Sequence, residues 1–198
     1  MENTKVNHER ELEIKKMADD LMHKNRHKLS LRDKKEFEKA MQKFLAGQSP
    51  KESIGLTQER EDYIYSQGYL LFQSGKYKQA LDIFTLLYKF DNDSYKYLFS
   101  IAACQQHLKD YDAAGGNYLM CSELDRANPV PYFHRYDCFK KVNNPWAAFM
   151  MLLTCIELCK ANNEYAVLLA RAELELKGLK IILEKWAEEN DKNTSKKE

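Results

Sequence analysis

Glycine and proline are scarce in this sequence, with 7 and 4 occurrences in 198 residues. So few breakers exclude a sheet protein with many turns and favour long helices. Charge of one sign is also missing. The formal net charge is +1, so no strong field points to nucleic acid or to an acidic membrane. No apolar run approaches the roughly 18 residues of a membrane span. The first residues, MENTKVNHERELEIKK, contain no apolar stretch of the signal-peptide kind, and the expectation is a cytoplasmic chain. Gly-rich phosphate loops, GxSxG and HExxH are absent as well, so no enzyme class is nominated and no cofactor is expected.

What is present is a period. Tyr77, Ala80 and Phe84 return 34 residues later as Tyr111, Ala114 and Tyr118, and Pro145, Ala148 and Leu152 follow at the same offset. A 34-residue repeat is the signature of the tetratricopeptide unit, a helix–turn–helix that cannot bury its apolar face alone. Stacked units form a solenoid with a concave binding face. The expected fold is therefore all-α, with three such repeats in tandem. Apolar residues make up 44% of the chain, enough for a core.

The cysteines obey the same period. Cys104 and Cys138 are 34 apart, as are Cys121 and Cys155, with Cys159 one turn further. Repeated slots of this kind call for small packing residues, and free cysteine behaves as a small hydrophobe. An uneven set in a cytoplasmic chain argues against a disulfide framework. Cys155 and Cys159 could share a metal, but no second pair completes a tetrahedral site.

Four regions follow. Residues 1–57 form a charged N-terminal helical segment and linker, 58–162 the repeats, 163–190 a capping helix and 191–198 a polar tail. In the first, Ile14, Met17 and Leu21 suggest a weak amphipathic helix. Ser30 reads as an N-cap with Asp33 as partner. Phe37, Met41, Phe44 and Leu45 make one apolar stripe that ends at Gly47, and 47–57 reads as linker. Thr57 caps the next helix, with Glu61 in its first turns. Helical pairs then run from about Gln58 to Phe90, Ser94 to Leu124 and Pro131 to Cys159. They turn near Ser74–Lys76, Lys109–Asp110 and Asn143–Pro145. A last helix over about Glu164 to Glu188 carries Tyr165, Leu168, Leu169, Ala172, Leu176, Leu179, Leu183 and Trp186 at helical spacing.

Small residues mark the close contacts within pairs: Gly68 and Ala102 on the first helices, Ala80, Ala114 and Ala148 on the second. The third pair has Tyr136 where the first two have Gly68 and Ala102. The inner helix of each pair lines the trough. Its inward positions are Asp62, Tyr65, Tyr69 and Phe72, then Lys96, Phe99, Ala103 and Gln106, then Phe133, Asp137 and Lys140. Aromatic side chains with a polar tip are common binding anchors. Some of these could instead pack against the N-terminal helix.

The stretch YIYSQGYLLFQSGKYKQALDIFTLLYKFDNDSYKYLFSIAACQQHLKDYDAAGGNYLMCSELD resembles the class II chaperones of type III secretion, the LcrH/SycD/IpgC family. The likeness spans about residues 55–185 and is strongest over 63–125. It implies a bacterial cytoplasmic protein that keeps hydrophobic translocators soluble and secretion-competent. It also implies an extended client segment in the concave trough, with Tyr65, Tyr69, Phe72, Phe99, Ala103 and Gln106 foremost among the matching positions. Homodimerisation through the N-terminal helical part, Ser30–Leu45 or the first repeat, is implied too. The chain departs from the family in a longer, more charged N-terminal segment and in the irregular third pair, PYFHRYDCFKKVNNPWAAF.

Other readings are set beside it. An adaptor that clamps a terminal carboxylate needs cationic inner-helix residues, yet the equivalent positions are Tyr65, Tyr69, Ser100, Val130 and His134. A scaffold for another peptide partner stays open. His23 and His27 are spaced to share a metal but lie in a basic, solvated setting. The basic residues from Lys24 to Lys43, interrupted by Asp33, Glu36 and Glu38, suit a charged helix face better than a nucleic-acid surface.

Overall fold

The computed structural model describes residues 31–194. The expected helix around Ile14, the Ser30 cap and the His23/His27 pair lie outside the described residues. The chain divides into two compact units, residues 1–63 and 64–198.

In the first unit, helix α1 runs Leu31–Leu45 and half-buries Phe37, Met41 and Phe44 on one face. Gly47, at φ +93°, takes the left-handed conformation that ends it. The expected linker is interrupted by a short helix, α2, Pro50–Ser53. Its cause is a capping box that the sequence spells as Ser-Pro-Lys-Glu. The Glu52 amide donates to Ser49 Oγ at 3.2 Å, and the Ser49 amide donates to Glu52 Oε2 at 3.0 Å. The Ser49 amide and hydroxyl, both donating to the Glu52 carboxylate, hold it below its usual range. Helix α3, Gln58–Gln73, follows. The Thr57 hydroxyl accepts from the Arg60 amide at 3.4 Å. Glu61, expected as a first-turn acid, is buried and meets the Lys51 ammonium at 2.6 Å.

The second unit continues α3 from Ile64 and adds α4 (Tyr77–Phe90), α5 (Tyr95–His107), α6 (Tyr111–Leu124), α7 (Val130–Lys141) and α8 (Pro145–Ala161). A 3₁₀ turn, Asn163–Tyr165, leads into α9, Ala166–Thr194. From α4 onward each helix packs on the next in the chain, the nearest-neighbour order of a solenoid. The period fixes the contacts. Ala80, Ala114 and Ala148 have no exposed surface, and Phe84, Tyr118 and Leu152 at most 1%. At Gly68 an added Cβ would lie 2.7 Å from the Phe84 ring, so α3 and α4 cross where only hydrogen fits. All five cysteines are free and buried; burial pushes the Cys104, Cys121 and Cys155 thiols up to about 12. They are packing groups.

The turns inside the pairs repeat too. Gly75, Lys109 and Asn143 stand 34 apart, and all three have positive φ, at 74°, 66° and 56°. Glycine suits that slot, asparagine tolerates it, and lysine is strained there. Asp110 and Asn144 then cap the second helices, accepting from Ala113 N and Ala147 N. Lys109→Gly is therefore expected to stabilise the fold by about 0.5–1 kcal/mol, since relief of left-handed strain exceeds the added freedom of the unfolded chain. Urea unfolding measures it, and an unchanged or lower midpoint would contradict it.

Helix α9 begins two residues later than expected and reaches Thr194, past the anticipated end near Glu188. Asn162 caps the 3₁₀ turn before it by accepting from the Glu164 amide, and that turn takes up the two residues. Ala172, Leu179 and Leu183 of α9 are buried with Leu152, Cys155, Ile156 and Cys159 of α8. The Trp186 side chain lies outside the described ones. Among the described residues no helix is long and apolar enough to cross a membrane.

Candidate functional site

The inner helices α3, α5 and α7 present one face to a trough of about 290 Å³. Helix α3 contributes Tyr65, Tyr69 and Phe72; α5 contributes Phe99, Ser100, Ala103, Gln106 and His107. Phe84 of α4 and Tyr118 of α6 form the floor, and His134 of α7 the far wall. The volume is near the lower end of small-molecule pockets, and the lining mixes aromatic surface with convergent polar tips, as recognition sites do.

Two aromatic clusters stand at its ends. At one, the His107 ring stacks on Tyr77 at 4.4 Å and meets Phe72 edge-on at 5.2 Å. At the other, His134 stacks on Tyr118 at 4.9 Å while Phe99 meets both edge-on, at 5.4 and 5.3 Å. Between them, the Tyr65 ring packs 5.3 Å from Phe84. Such contacts fix the rings before any ligand arrives, which lowers the ordering cost of binding. Tyr69 differs, being 47% exposed, a free aromatic face on the wall.

The polar groups are interlocked. Ser100 Oγ donates to the Lys96 carbonyl at 2.8 Å, so the Tyr65 hydroxyl 3.3 Å away is the donor to Ser100. Gln106 Oε1 accepts from the Tyr118 hydroxyl at 2.8 Å and faces His134 Nδ1 at 3.0 Å. A carbonyl oxygen only accepts, so Nδ1 carries the imidazole proton. Burial, helped by the positive charge of Arg171 and by His107, lowers His134 to about 4. Burial also raises the Tyr118 hydroxyl well above its ordinary value. Near neutral pH this end of the trough is uncharged. The Lys96 ammonium lies on the rim, 3.8 Å from the centre of the Tyr65 ring.

Of the inward positions expected from the repeat, Tyr65, Tyr69, Phe72, Phe99, Ala103 and Gln106 line this trough, and Lys96 borders it. Asp62 belongs to the first unit, is exposed, and accepts from Gln58 Nε2 at 3.1 Å. Phe133 and Asp137 do not line the trough. Phe133 is 4% exposed in the core of α7, α8 and α9, with the Arg171 guanidinium 4.8 Å from its ring. Asp137 is half-buried near Arg171 and Lys140, and burial raises its carboxyl. The physical reason is α9. The Lys140 ammonium pairs with Glu175 at 2.8 Å, the Tyr136 hydroxyl donates to the same carboxylate, and the pair holds Glu175 below its usual range. Helix α9 thus takes the face of α7 that the period assigns to the trough. His134, one residue on and about 100° round the helix, faces the trough instead.

The inward positions read from the period omit His107 and the floor residues Phe84 and Tyr118, and place Ser100 and His134 only among the inner-helix positions where an adaptor would carry its clamp. The sequence held a partial signal: Ser100 and His134 are themselves 34 apart, on the position beside the aromatic one.

No protein-family model matches the chain. Low calcium response locus protein H of Yersinia pestis is 26% identical over 150 residues, covering 75% of this chain and 89% of that protein. The type III secretion translocator chaperone SycD of Yersinia enterocolitica superposes with a TM-score of 0.62 at 26% identity, over 65% of this chain and 89% of its own. SycD has also been solved with a peptide of the translocator YopD and in an alternative dimer. PcrH of Pseudomonas aeruginosa, solved in complex with the chaperone binding region of PopD, gives a TM-score of 0.61 at 26% identity over 64% of this chain and 96% of its own. Repeat register, helical stack and these likenesses agree: the chain is a homologue of the class II translocator chaperones of type III secretion.

Proposed function

We propose that this chain is a chaperone that takes an extended apolar segment of a type III secretion translocator into its trough. The trough itself carries the reading. Its rings are fixed by one another, the polar tips of Tyr65, Ser100, Gln106 and Tyr118 are hydrogen-bonded within the protein, and its wall at Tyr69 stays open. A site of that kind accepts apolar side chains from an unfolded strand and asks little of the strand's own charges. Homologues solved with translocator segments support it. Covering such a segment suppresses the aggregation that exposed membrane-seeking surface causes. The work is holding, not catalysis, and its setting is the bacterial cytoplasm before export. Two copies pair through the N-terminal helical part, α1 or the first repeat; that SycD has been solved as a dimer supports pairing as such.

Co-expression with a candidate translocator tests the site. Tyr69→Ala with Phe99→Ala removes the exposed wall and the pivot of the far cluster, and retention of the client should fall at least about tenfold, as hot-spot aromatics do. Helicity by circular dichroism should persist. Undiminished co-purification would place the client elsewhere on the chain.

A further inference from the structure

Helix α6 carries consecutive glycines, Gly115 and Gly116, in its interior. Glycine is among the poorest helix formers, and the fold does not ask for it here. A Cβ on Gly116 would meet nothing within 4 Å, and one on Gly115 would only touch Cys138 Cβ at 4.0 Å. Neither has positive φ. Beside them lies a cavity of about 120 Å³, walled by Tyr111 of α6 and by Cys138, Phe139 and Arg135 of α7, and sharing no lining residue with the trough. An apolar cavity of about 150 Å³ holds benzene, so this one is sized for a single small side chain.

Arg135 gives it a chemistry. Its guanidinium lies 5.6 Å from the centre of the Phe139 ring. Its Nε is buried and has no hydrogen-bond partner among the described residues. Asp112 lies on the same cavity but forms no ion pair with it there. A half-buried guanidinium that makes no ion pair among the described residues, with its Nε buried and unsatisfied, is suited to a carboxylate, which takes two parallel bonds from such a fork. The glycine pair clears a strip of bare helix on which a second backbone can approach closely.

We propose that this pocket between α6 and α7 is a second protein-recognition site, taking an acidic side chain flanked by aliphatic residues from a partner polypeptide that runs across Gly115 and Gly116. An acidic side chain is favoured over a chain terminus because the bare strip lets a strand continue past the guanidinium. The site is independent of whatever occupies the trough.

The test uses the full chain, isotopically labelled, and the probe acetyl-Leu-Glu-Leu-amide. Titration should move the backbone amides of Gly115 and Gly116 and the Arg135 Nε–H resonance saturably. The matched Leu-Gln-Leu amide should bind at least tenfold more weakly. Arg135→Met should abolish the effect. Gly116→Val should abolish it too, while melting no lower than the parent, and this variant decides the matter if Arg135→Met fails to fold. The trough double variant should bind the probe normally. Equal binding of the Glu and Gln peptides would overturn the proposal. So would unaltered binding by Gly116→Val, or binding only of a peptide whose sole carboxylate is its free C-terminus.

Discussion

Phe84→Ala is expected to cost about 3–5 kcal/mol of stability, the range for deleting a fully buried phenylalanine. The ring is 1% exposed and packs with Ala80, Ile101, Cys104 and Tyr65. Its edge also fills the space at Gly68, where a methyl group would sit 2.7 Å away. Helices on both sides are held by their own repeat contacts, so collapse around the void is limited and the upper half of the range is expected. Because Phe84 is trough floor as well as core, client retention should fall with it. Urea unfolding reads the effect as a shift in midpoint at nearly constant slope. A double-mutant cycle sharpens it. Gly68→Ala alone overpacks against the ring and destabilises by about 1–3 kcal/mol. In the Phe84→Ala background the same methyl enters vacated space, so the two costs should fail to add by at least about 1 kcal/mol. Additive costs would show that the crossing of α3 and α4 is not governed by this contact.

That contact also shows what the sequence made legible. The period of 34 located Gly68, the alanines and the ring positions, because a repeating hairpin imposes identical sterics at each copy. The turn slots at Gly75, Lys109 and Asn143 follow for the same reason. Periodicity fails where a copy meets a different neighbour. The first two inner helices face open space at the trough, whereas α7 faces α9, which draws Phe133 and Asp137 toward itself through Arg171, Lys140 and Glu175. A nearest-neighbour pattern within the chain carries no information about a helix that returns from beyond the last repeat. The α2 capping box was written in four residues, but Pro50 and a preceding glycine read more simply as linker. Side-chain partners of Gln106, and hence the part played by His134, depend on three separate helices and have no local signature.

His134 yields the second large effect, and its sign follows from burial. The folded imidazole titrates at about 4, against about 6.5 in an unfolded chain. The unfolded state therefore binds the proton more tightly, and the stability contributed by the neutral ring is complete above pH 6.5. It is lost as pH falls from there to about 4, to a total of about 3 kcal/mol, with about 2 kcal/mol gone by pH 5. The added proton would go on Nε2, since Nδ1 already donates to Gln106, so no hydrogen bond breaks. The penalty arises from burying the charge away from water, with Arg171 and His107 adding positive potential. His134→Gln keeps a polar planar group and removes the titration. Its unfolding free energy should fall less steeply than the parent's between pH 6.5 and 4, and the two curves should run parallel above pH 7. Carboxylates such as Asp137 and Glu175 titrate in both proteins and cancel in the difference. Parallel curves throughout that window would mean that the ring is hydrated in solution. The uncharged far wall on which the trough's preference for apolar side chains depends would then be lost.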